Sequence, residues 1–429
     1  MRAPLLYRAY VALTFLALPV AALLVTRKLR RALVPKPRPF EIRGYATEER
    51  ASDGSLIWFH AASVGESLSV LSLIGRMGDM LPHAHFLITS GTATSAELVA
   101  RRMPDRCTHQ FAPLDAPTPL RRFLDHWRPT AAIFVESELW PQMLRRTHAR
   151  GARLALVNAR LSERSREGWK KYPETAAYVL SVFDLILSQN DAMAQAMVEM
   201  HAPPERVARG FNLKALSDPL PKDPATMAQV RTALRGRPVW VAASTHAGEE
   251  KDILAAHARL FEANSDLLLI LVPRHPDRSA EVARLIARTG LNLATRSKDE
   301  LPADDTSVYL ADTLGELGSW YALTDIVFLG GSMQPVGGHN PFEVAQADAA
   351  VLSGPHVHNF SETFEMLSAH QAVIMVQGAE ELADEVERLL NDKTARARAV
   401  EAARATVADS SAQLDAIARR LIHALALEA

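Results

Sequence analysis

Short apolar runs alternate with polar, glycine-containing segments along most of the chain, and this pattern predicts strands that alternate with helices. Runs of four to eight residues rich in branched and aromatic side chains are typical of buried strands. The predicted strands cover residues 56–60, 85–90, 109–113, 131–135, 153–157 and 183–187 in the N-terminal half, and 239–243, 267–272, 308–310, 326–329, 351–352 and 372–376 in the C-terminal half. Such alternation indicates an α/β protein with a mostly parallel sheet in each half.

A proline-rich break at residues 217–224 separates the two series of strands and is the best candidate for a domain linker. A length of 429 residues is too great for one typical domain. We therefore predict an N-terminal segment at 1–32, a first α/β domain at 33–216 and a second at 217–429. Beyond the second series of strands, the chain to its last residue is rich in alanine and arginine and is predicted to be helical.

Residues 9–25 carry no charge and are long enough, at the short end, for a membrane-spanning helix. Six basic residues follow between positions 27 and 38, and only Arg2 and Arg8 precede the run. The positive-inside rule then places the body of the protein in the cytoplasm. A cleaved signal peptide is the alternative, but the basic flank and the lack of a small-residue cleavage site favour an anchor.

The composition excludes some classes of function. A hydrophobic content of 48% and a charged content of 23% are those of an ordinary globular protein. A formal net charge of −1 gives no indication of a nucleic-acid partner. With Cys107 as the single cysteine, neither an intrachain disulfide nor a zinc site with two or more cysteines is possible, and the 15 histidines show no clear metal-ligand spacing. We expect no metal and no cofactor.

The segment 326–346 combines a buried strand, two glycine pairs and a helix start. Gly337 and Gly338 precede Asn340, which has the side chain of an N-cap, and Glu343 follows three residues later. Bare N–H groups at such a loop bind phosphates or sugars closely. The alternative is a plain turn in which Glu343 only caps its helix.

Carboxylates also follow predicted strands in the N-terminal half. Ser63 and Glu66 have capping-box spacing, so Glu66 either caps a helix or serves as a general base on a hydroxyl group. Glu136 and Glu138 directly follow the strand 131–135, where they are either solvated or functional.

Two arginines, Arg160 and Arg164, follow the next strand and are expected at the same edge of the sheet. They either bind substrate phosphates or pair with the neighbouring carboxylates. In the C-terminal half, Arg274, His275 and His246 lie at corresponding strand ends, where a phosphate would need cations. The absence of Walker A and GxGxxG motifs argues against a P-loop ATPase and a dinucleotide dehydrogenase.

Seven motifs in this order resemble the membrane-associated 3-deoxy-D-manno-octulosonic acid (Kdo) transferases of lipopolysaccharide biosynthesis. The motifs are Trp58-Phe-His-Ala-Ala-Ser-Val-Gly-Glu66, Glu136-Ser-Glu-Leu-Trp-Pro141, Asn158-Ala-Arg-Leu-Ser-Glu-Arg-Ser165, Ser244-Thr-His-Ala-Gly-Glu-Glu250, Pro273-Arg-His-Pro276, Asp312-Thr-Leu-Gly-Glu-Leu317 and Gly337-Gly-His-Asn-Pro-Phe-Glu343. The resemblance spans most of the chain after residue 55.

The resemblance implies a GT-B glycosyltransferase fold, in which two Rossmann-like doubly wound domains face each other across a cleft, with an N-terminal membrane-anchor helix. It implies CMP-Kdo as the donor and a tetraacyl lipid A precursor, lipid IVA, as the acceptor of an inverting transfer without a required metal. The protein would lie at the cytoplasmic face of the cell inner membrane, with the first domain binding the acceptor and the second the donor.

The resemblance also assigns roles to residues of this chain. Glu66 corresponds to the general base, and Glu136 and Glu138 to an acidic motif near it. The residues expected to bind the donor are Ser244, Thr245, His246, Glu249, Arg274, His275, Gly337, Gly338, Asn340 and Glu343. The residues expected to bind the acceptor are Ser63, Gly65, Arg160 and Arg164.

Three departures from the family pattern concern the expected donor pocket. Gln142 stands where asparagine is usual, Val344 replaces a proline, and the Gly-Asn-x-Lys stretch has an insertion at residues 210–214. Two alternative functions remain, a GT-B transferase with another nucleotide sugar and a membrane-tethered two-domain solute-binding protein.

Overall fold

The computed structural model describes residues 2–210, 213 and 219–427. The chain divides into two compact units, one formed by residues 1–217 together with 412–429 and the other by residues 218–411. Within the described residues, each unit contains a parallel seven-stranded sheet with helices between the strands. The predicted pair of doubly wound α/β domains is therefore confirmed.

The first unit is built around a sheet of strand order β3-β2-β1-β4-β5-β6-β7. Its strands are β1 (Leu56–His60), β2 (His85–Ser90), β3 (Cys107–Phe111), β4 (Ala131–Val135), β5 (Arg153–Ala159), β6 (Leu185–Ser188) and β7 (Val207–Arg209). Its helices are α1 (Leu5–Arg31), α2 (Val64–Met80), α3 (Ala93–Arg102), α4 (Pro117–Trp127), α5 (Pro141–Ala149), α6 (Glu163–Lys170), α7 (Pro173–Leu180) and α8 (Asp191–Glu199), with short 3₁₀ helices at Arg38–Arg43 and Pro204–Arg206.

The second unit contains a sheet of strand order β10-β11-β9-β8-β12-β13-β14. Its strands are β8 (Val239–Thr245), β9 (Leu268–Pro273), β10 (Leu293–Thr295), β11 (Val308–Leu310), β12 (Ile326–Leu329), β13 (Ala350–Ser353) and β14 (Val373–Met375). Its helices are α9 (Pro224–Leu234), α10 (Glu250–Ala263), α11 (Ser279–Ala287), α12 (Leu317–Tyr321), α13 (Phe342–Ala345), α14 (Ser361–Ala369), α15 (Ala379–Asn391) and the first part of α16 (Lys393–Ala424), with 3₁₀ helices at Pro276–Arg278 and Arg296–Lys298.

The predicted strands are confirmed wherever a long apolar run marks them, and two short strands were missed. The prediction made 183–187 the last strand of the first series, but β7 follows it. Both β7 and β10 are only three residues long, and each has one neighbour because it forms an edge of its sheet. An edge strand buries less of its surface, so its sequence carries a weak apolar signal.

The C-terminal helix α16 belongs to both units. From Ala412 onward it is part of the first unit, where Leu414, Ala418 and Leu421 join the apolar core beside β1 and β2. The domain predicted over 217–429 therefore extends too far at its C-terminal end, while its predicted start lies outside the described residues. An alanine-rich helix has the same apolar period whichever core it packs against. The sequence therefore does not reveal that α16 passes from the second unit to the first.

Helix α1 is 27 residues long and is the one helix, among the described residues, with the length and composition to cross a membrane. It also makes polar contacts with the rest of the first unit. The hydroxyl of Tyr10 donates to Asp115 at 2.8 Å, and the amide of Gln142 donates to the Thr14 hydroxyl at 2.7 Å. One side of the helix is therefore held against the protein.

Candidate active site

The strand order of each sheet reverses direction at one point, which is where α/β domains usually bind ligands. In the first sheet this point lies between β1 and β4, and in the second between β8 and β12. The chains leaving the carboxyl ends of neighbouring strands diverge there and leave a crevice. The candidate residues follow these four strands and β5 and β9 beside them.

Glu66 is held at the start of α2 by the predicted capping box. The Ser63 hydroxyl accepts the N–H of Glu66 at 3.3 Å, and Oε2 of Glu66 accepts the N–H groups of Ser63 at 3.4 Å and of Ala62 at 2.8 Å. These bonds orient a nearly buried carboxylate. Because the capping bonds use Oε2, Oε1 is the oxygen left for chemistry, so the two predicted roles of Glu66 are compatible.

Glu138 is a second, differently held carboxylate. Its Oε2 accepts hydrogen bonds from the indole N–H of Trp140 at 2.5 Å and from Nε2 of His60 at 3.1 Å. Burial alone would raise the pKa of Glu138, but the hydrogen bonds that it accepts from His60 and Trp140 lower that pKa below its usual value. Glu138 is thus kept ionised.

The ionised neighbours make Glu66 a stronger base. Burial raises the pKa of Glu66, and the negative charges of Glu138 and Glu136 raise it further, against the opposing hydrogen bonds from Ser63 and Ala62. A general base is most effective when its pKa approaches the working pH. The environment of Glu66 therefore favours proton abstraction.

Unusual backbone conformations mark the ends of β4 and β5. Glu136 and Asn158 both adopt the left-handed conformation, each with φ of +53°. The amide of Asn158 donates to Oε1 of Glu136 at 3.3 Å. Non-glycine residues are uncommon in this region and are concentrated at functional sites. The observed backbone therefore supports a functional role for this edge independently of the charges.

A cavity of about 300 Å³ lies beside Glu138 within the first unit. Its lining is mostly apolar and includes Val25 of α1, together with the polar side chains of His60 and Asp115. A mostly apolar pocket with a few converging polar groups is typical of a site for an organic ligand.

The residues predicted to bind the acceptor surround the same edge. Ser63 and Gly65 are exposed in the loop and first turn before Glu66, and Arg160 and Arg164 are exposed after β5. Across the described part of the chain, neither arginine forms an ion pair with a carboxylate. Their positive charges are available to an anion.

The second unit has its own strained strand end. Ser244 has a φ of +56°, and the pairing of β8 with β9 shifts register between Ala243 and Thr245. The hydroxyl of Thr245 is buried and donates to Glu250 at 3.3 Å, and Glu250 forms an ion pair with Arg278. These contacts indicate that the Thr245 side chain supports the loop rather than contacting a ligand.

Glu249 connects two loops of the second unit. Its fully buried carboxylate accepts the N–H groups of His246 and Gly331 at 2.6 Å each, and of Ser332 and Met333 at 3.3 Å each. Burial raises its pKa, and these donors oppose that effect. Because the protein itself occupies both oxygens, we interpret Glu249 as holding the loops after β8 and β12 together, and not as one of the predicted donor-binding residues.

The glycine loop after β12 folds back on itself. The N–H of Gly338 donates to the carbonyl of Gly331 at 2.8 Å, and both glycines have positive φ, of +74° and +67°. The side-chain oxygen of Asn340 accepts the N–H of Phe342 at 3.2 Å, but the N-cap position is occupied by Pro341, so the helix begins one residue later than predicted. The helix is α13, which is only four residues long. Its dipole is therefore small, and loop N–H groups and side chains must carry any anion binding.

Three histidines meet beside this loop. The rings of His246 and His339 stack with Nε2 atoms 3.0 Å apart, and the ring of His275 contacts His246 edge-on at 5.5 Å between centroids. Burial lowers the pKa of His339 to about 4, helped by the charges of His246, Arg274 and His275. Burial and the same basic neighbours also lower the pKa of His246.

Glu343 lies on α13, directly after the glycine loop. Burial and the nearby charge of Glu343 raise the pKa of Tyr321, whose hydroxyl faces Ser244. The structure thus brings Ser244, His246, Arg274, His275 and Glu343 to one edge of the second sheet. In the part of the chain that is described, no group of three or more His, Cys, Asp or Glu residues is arranged to hold a metal ion.

Comparison with known proteins identifies the family. Residues 38–216 match the family model described as 3-deoxy-D-manno-octulosonic-acid transferase (kdotransferase). A probable 3-deoxy-D-manno-octulosonic acid transferase, mitochondrial, of Arabidopsis thaliana is 34% identical over 395 residues, which is 90% of this chain and 88% of the relative. The chain belongs to the Kdo transferase family.

Other comparisons agree with this assignment. The 3-deoxy-D-manno-octulosonic acid transferase of Haemophilus influenzae is 36% identical, covering 80% of this chain and 81% of that protein. A glycosyltransferase from Rickettsia africae has the same fold, with a TM-score of 0.55 at 14% identity over 87% of this chain and all of that one. The predicted Kdo transferase family, enzyme class and GT-B type of fold are confirmed.

Two of the departures from the family pattern, Gln142 and Val344, lie within the described residues. Gln142 is buried in the first unit, where its side chain contacts Thr14 and Asp115, so it lies outside the loops of the second unit that are predicted to bind the donor. Val344 is a fully buried residue of α13. The departure at residues 210–214 lies mostly outside the described residues.

Sequence reasoning missed several residues of these sites. His339 lies inside a recognised motif, but a single histidine gave no reason to pair it with His246, 93 positions away. Thr89 belongs to no motif, and its sequence context predicts only a strand. His60 was part of a recognised motif, yet its contact with Glu138 depends on the pairing of β1 with β4.

We predict that Glu249→Gln destabilises the second domain by about 1–3 kcal/mol, because the new amide group turns an N–H donor toward backbone N–H groups that need an acceptor. The free energy of unfolding, measured in urea, checks this. Glu262→Gln makes the same change on an exposed part of α10 and should have almost no effect. Equal stability of the two variants would contradict the role given to Glu249.

Proposed function

We propose that this Kdo transferase family member moves Kdo from CMP-Kdo to a sugar hydroxyl of the lipid A precursor lipid IVA in lipopolysaccharide biosynthesis. The observation that carries the proposal is Glu66, a nearly buried carboxylate oriented by two backbone N–H donors and made more basic by the negative charges of Glu138 and Glu136. A sugar hydroxyl needs such a base to become a nucleophile. Membership of the family supports the identity of the transferred sugar.

The first domain is the proposed site of the acceptor. Oε1 of Glu66 receives the proton of the attacking hydroxyl. The mostly apolar cavity beside Glu138 suits part of an acylated sugar, and the unpaired cations Arg160 and Arg164 suit the phosphate of a lipid A precursor. Ser63 and Gly65 border the base and leave an open approach to it.

The second domain is the proposed site of CMP-Kdo. Gly337 and Gly338, both with positive φ, shape the loop that we propose holds the phosphate, and Arg274 supplies a positive charge. His246 and His275 add ring N–H donors. Because an anion raises the pKa of a nearby histidine, bound phosphate would oppose the lowered pKa of His246. Glu343 is the proposed acceptor of hydrogen bonds from the ribose.

The proposed reaction is one displacement at the anomeric carbon of Kdo. As Glu66 takes the proton, the acceptor oxygen bonds to the anomeric carbon and the bond from that carbon to the phosphate oxygen of CMP breaks. Charge on the sugar peaks in an oxocarbenium-like state, and CMP leaves with the bonding electron pair. Cations at the phosphate stabilise the negative charge that develops on CMP as it leaves.

Mass spectrometry of one reaction tests the proposed activity. Purified protein is incubated with lipid IVA and with CMP-Kdo generated in situ. We expect product heavier than the acceptor by one or more Kdo residues, and none with a UDP-sugar in place of CMP-Kdo. Thermal-shift measurements with CMP, UDP and ADP identify the nucleotide independently. Stabilisation by UDP instead of CMP, with no Kdo product, would favour another GT-B transferase and reject the proposed donor.

We predict that Glu66→Gln lowers turnover by about 10²–10⁴-fold, since the amide keeps the size and cap of the side chain but cannot take a proton. CMP binding should stay within about twofold, because the change lies outside the proposed donor site. The exposed Glu97→Gln variant on α3 is the control and should keep full activity. Turnover of Glu66→Gln equal to the control would remove Glu66 from the reaction.

We propose that α1 holds the enzyme at the cytoplasmic face of the inner membrane, where a lipid acceptor is available. Leu13, Leu16 and Val20 of α1 are 65%, 75% and 62% exposed, which is costly for apolar side chains in water. Basic residues in the last turn of α1, Lys28, Arg30 and Arg31, favour anionic lipid headgroups. The same charges support a cytoplasmic position for the domains.

We predict that the double variant Leu16→Asp, Val20→Asp releases the protein from membranes, because each charge costs about 2.5–3.5 kcal/mol at the centre of a membrane helix. Flotation with vesicles of phosphatidylethanolamine and phosphatidylglycerol measures binding. The control places two aspartates at exposed leucines of the second domain, Leu301 and Leu314, and should still float. Flotation of the α1 double variant would show that this face is not the anchor.

A further inference from the structure

A buried threonine links the interior of the first sheet to the acidic group at its edge. Thr89 on β2 pairs with His60 on β1, and its hydroxyl oxygen lies 2.9 Å from Nδ1 of His60. The indole N–H of Trp58, two residues earlier on β1, contacts the same oxygen at 2.8 Å. All three side chains are buried. The other ring nitrogen of His60 reaches Glu138.

The contact with Glu138 determines where His60 carries its proton. Nε2 of His60 lies 3.1 Å from Oε2 of Glu138, which also accepts the indole N–H of Trp140. An ionised carboxylate accepts hydrogen bonds and donates none. Nε2 must therefore carry a hydrogen, and a ring with one hydrogen then has Nδ1 as an acceptor.

The Thr89 hydroxyl supplies the donor that Nδ1 requires. The indole of Trp58 can only donate, so it uses one lone pair of the Thr89 oxygen and leaves the Thr89 hydrogen to point elsewhere. The carbonyl of Phe59 is 3.4 Å from this oxygen, compared with 2.9 Å for Nδ1 of His60. The shorter contact is the better hydrogen bond. The hydrogen bonds therefore run in one direction: Trp58 donates to Thr89, Thr89 donates to His60, and His60 donates to Glu138.

We propose that Thr89 and His60 are positioning residues that hold Glu138 as an oriented carboxylate beside Glu66 and thereby set the strength of the base. This inference rests on the proposed function, in which Glu66 takes the proton from the acceptor. Neither positioning residue needs to touch the substrate to act. Without the Thr89 hydroxyl, Nδ1 of His60 loses its hydrogen-bond donor and the ring is no longer fixed in orientation, so its Nε2–H is no longer held on the carboxylate of Glu138.

The effect on pH dependence has a definite sign. The acidic groups that face Glu66 are Glu138 and Glu136, and both raise its pKa, while the carboxylate of Asp115 is the other charge near His60. Activity falls as the pH drops through the pKa of Glu66. If Glu138 loses the hydrogen bond from Nε2–H of His60, the pKa of Glu138 rises. As the pH falls, Glu138 then competes with Glu66 for the first proton that the pair takes up. Glu66 then stays ionised to lower pH as a weaker base.

The kinetic test compares two substitutions at one position. Thr89→Val keeps the shape of the side chain and removes the hydroxyl, whereas Thr89→Ser keeps the hydroxyl. We expect Thr89→Val to lower kcat by about 10–100-fold and to move the acid limb of kcat to lower pH, with the KM for CMP-Kdo within about twofold. Thr89→Ser should keep most of kcat and the wild-type limb, and Glu138→Gln should show the same direction of shift as Thr89→Val.

Trp58→Phe separates this role from general support of the sheet. It removes an indole donor from the same threonine but leaves the hydroxyl to donate to His60. We expect it to lower the melting temperature without moving the acid limb. Thr89→Val with unchanged kcat, or with kcat lowered equally at every pH, would overturn the proposal even if Kdo transfer and the need for Glu66 are established.

The proton positions can be measured without any activity. Nitrogen-15 NMR of protein labelled at histidine, with His60→Gln to assign the signal, distinguishes the two ring nitrogens. We expect His60 to have a protonated Nε2 and an unprotonated Nδ1, and the Nδ1 signal to shift in Thr89→Val because that nitrogen loses its hydrogen bond. A hydrogen on Nδ1 in the wild type, alone or in a doubly protonated ring, would overturn the proposal whatever reaction the enzyme catalyses.

Discussion

Parallel pairing of the strands is the constraint on which both candidate sites depend. It places every strand's carboxyl end at the same edge of its sheet, so the residues that follow different strands become neighbours. Glu66 follows β1 and Glu136 follows β4, although 70 positions separate them in sequence, and β1 pairs directly with β4. The positive φ values of Glu136, Asn158 and Ser244 occur at the same strand ends, where the chain must turn sharply into a loop.

Two buried glutamates show how similar sequences at such turns acquire different tasks. Glu66 and Glu249 each follow a glycine shortly after a strand, and each accepts backbone N–H groups. Glu66 accepts them with one oxygen and only from its own loop. Glu249 uses both oxygens, three of its four donors coming from the loop after β12. The first keeps an oxygen for a proton, while the second is fully used in holding two loops together.

Local patterns predicted the fold well because each long strand is a continuous apolar run with a polar end. They also placed Glu66, Arg274 and the glycine loop at strand ends. What they could not supply was the order of strands in the sheet, and with it the pairs His60–Glu138, His60–Thr89 and His246–His339. Such contacts depend on which strands pair and on their register, and no single segment contains that information. The family resemblance added roles for residues but not these contacts.

Helix α1 illustrates a related limit of hydropathy. Its apolar run contains Tyr10 and Thr14, which look like minor polar interruptions, yet both find partners on the first domain. Their partners are Asp115 and Gln142, and Asp115 also accepts N–H groups at the start of α5. The departure at Gln142 from the usual asparagine therefore concerns how this helix is held. Since Val25 and Asp115 also line the cavity beside Glu138, the position of α1 and the shape of the proposed acceptor pocket depend on the same contacts.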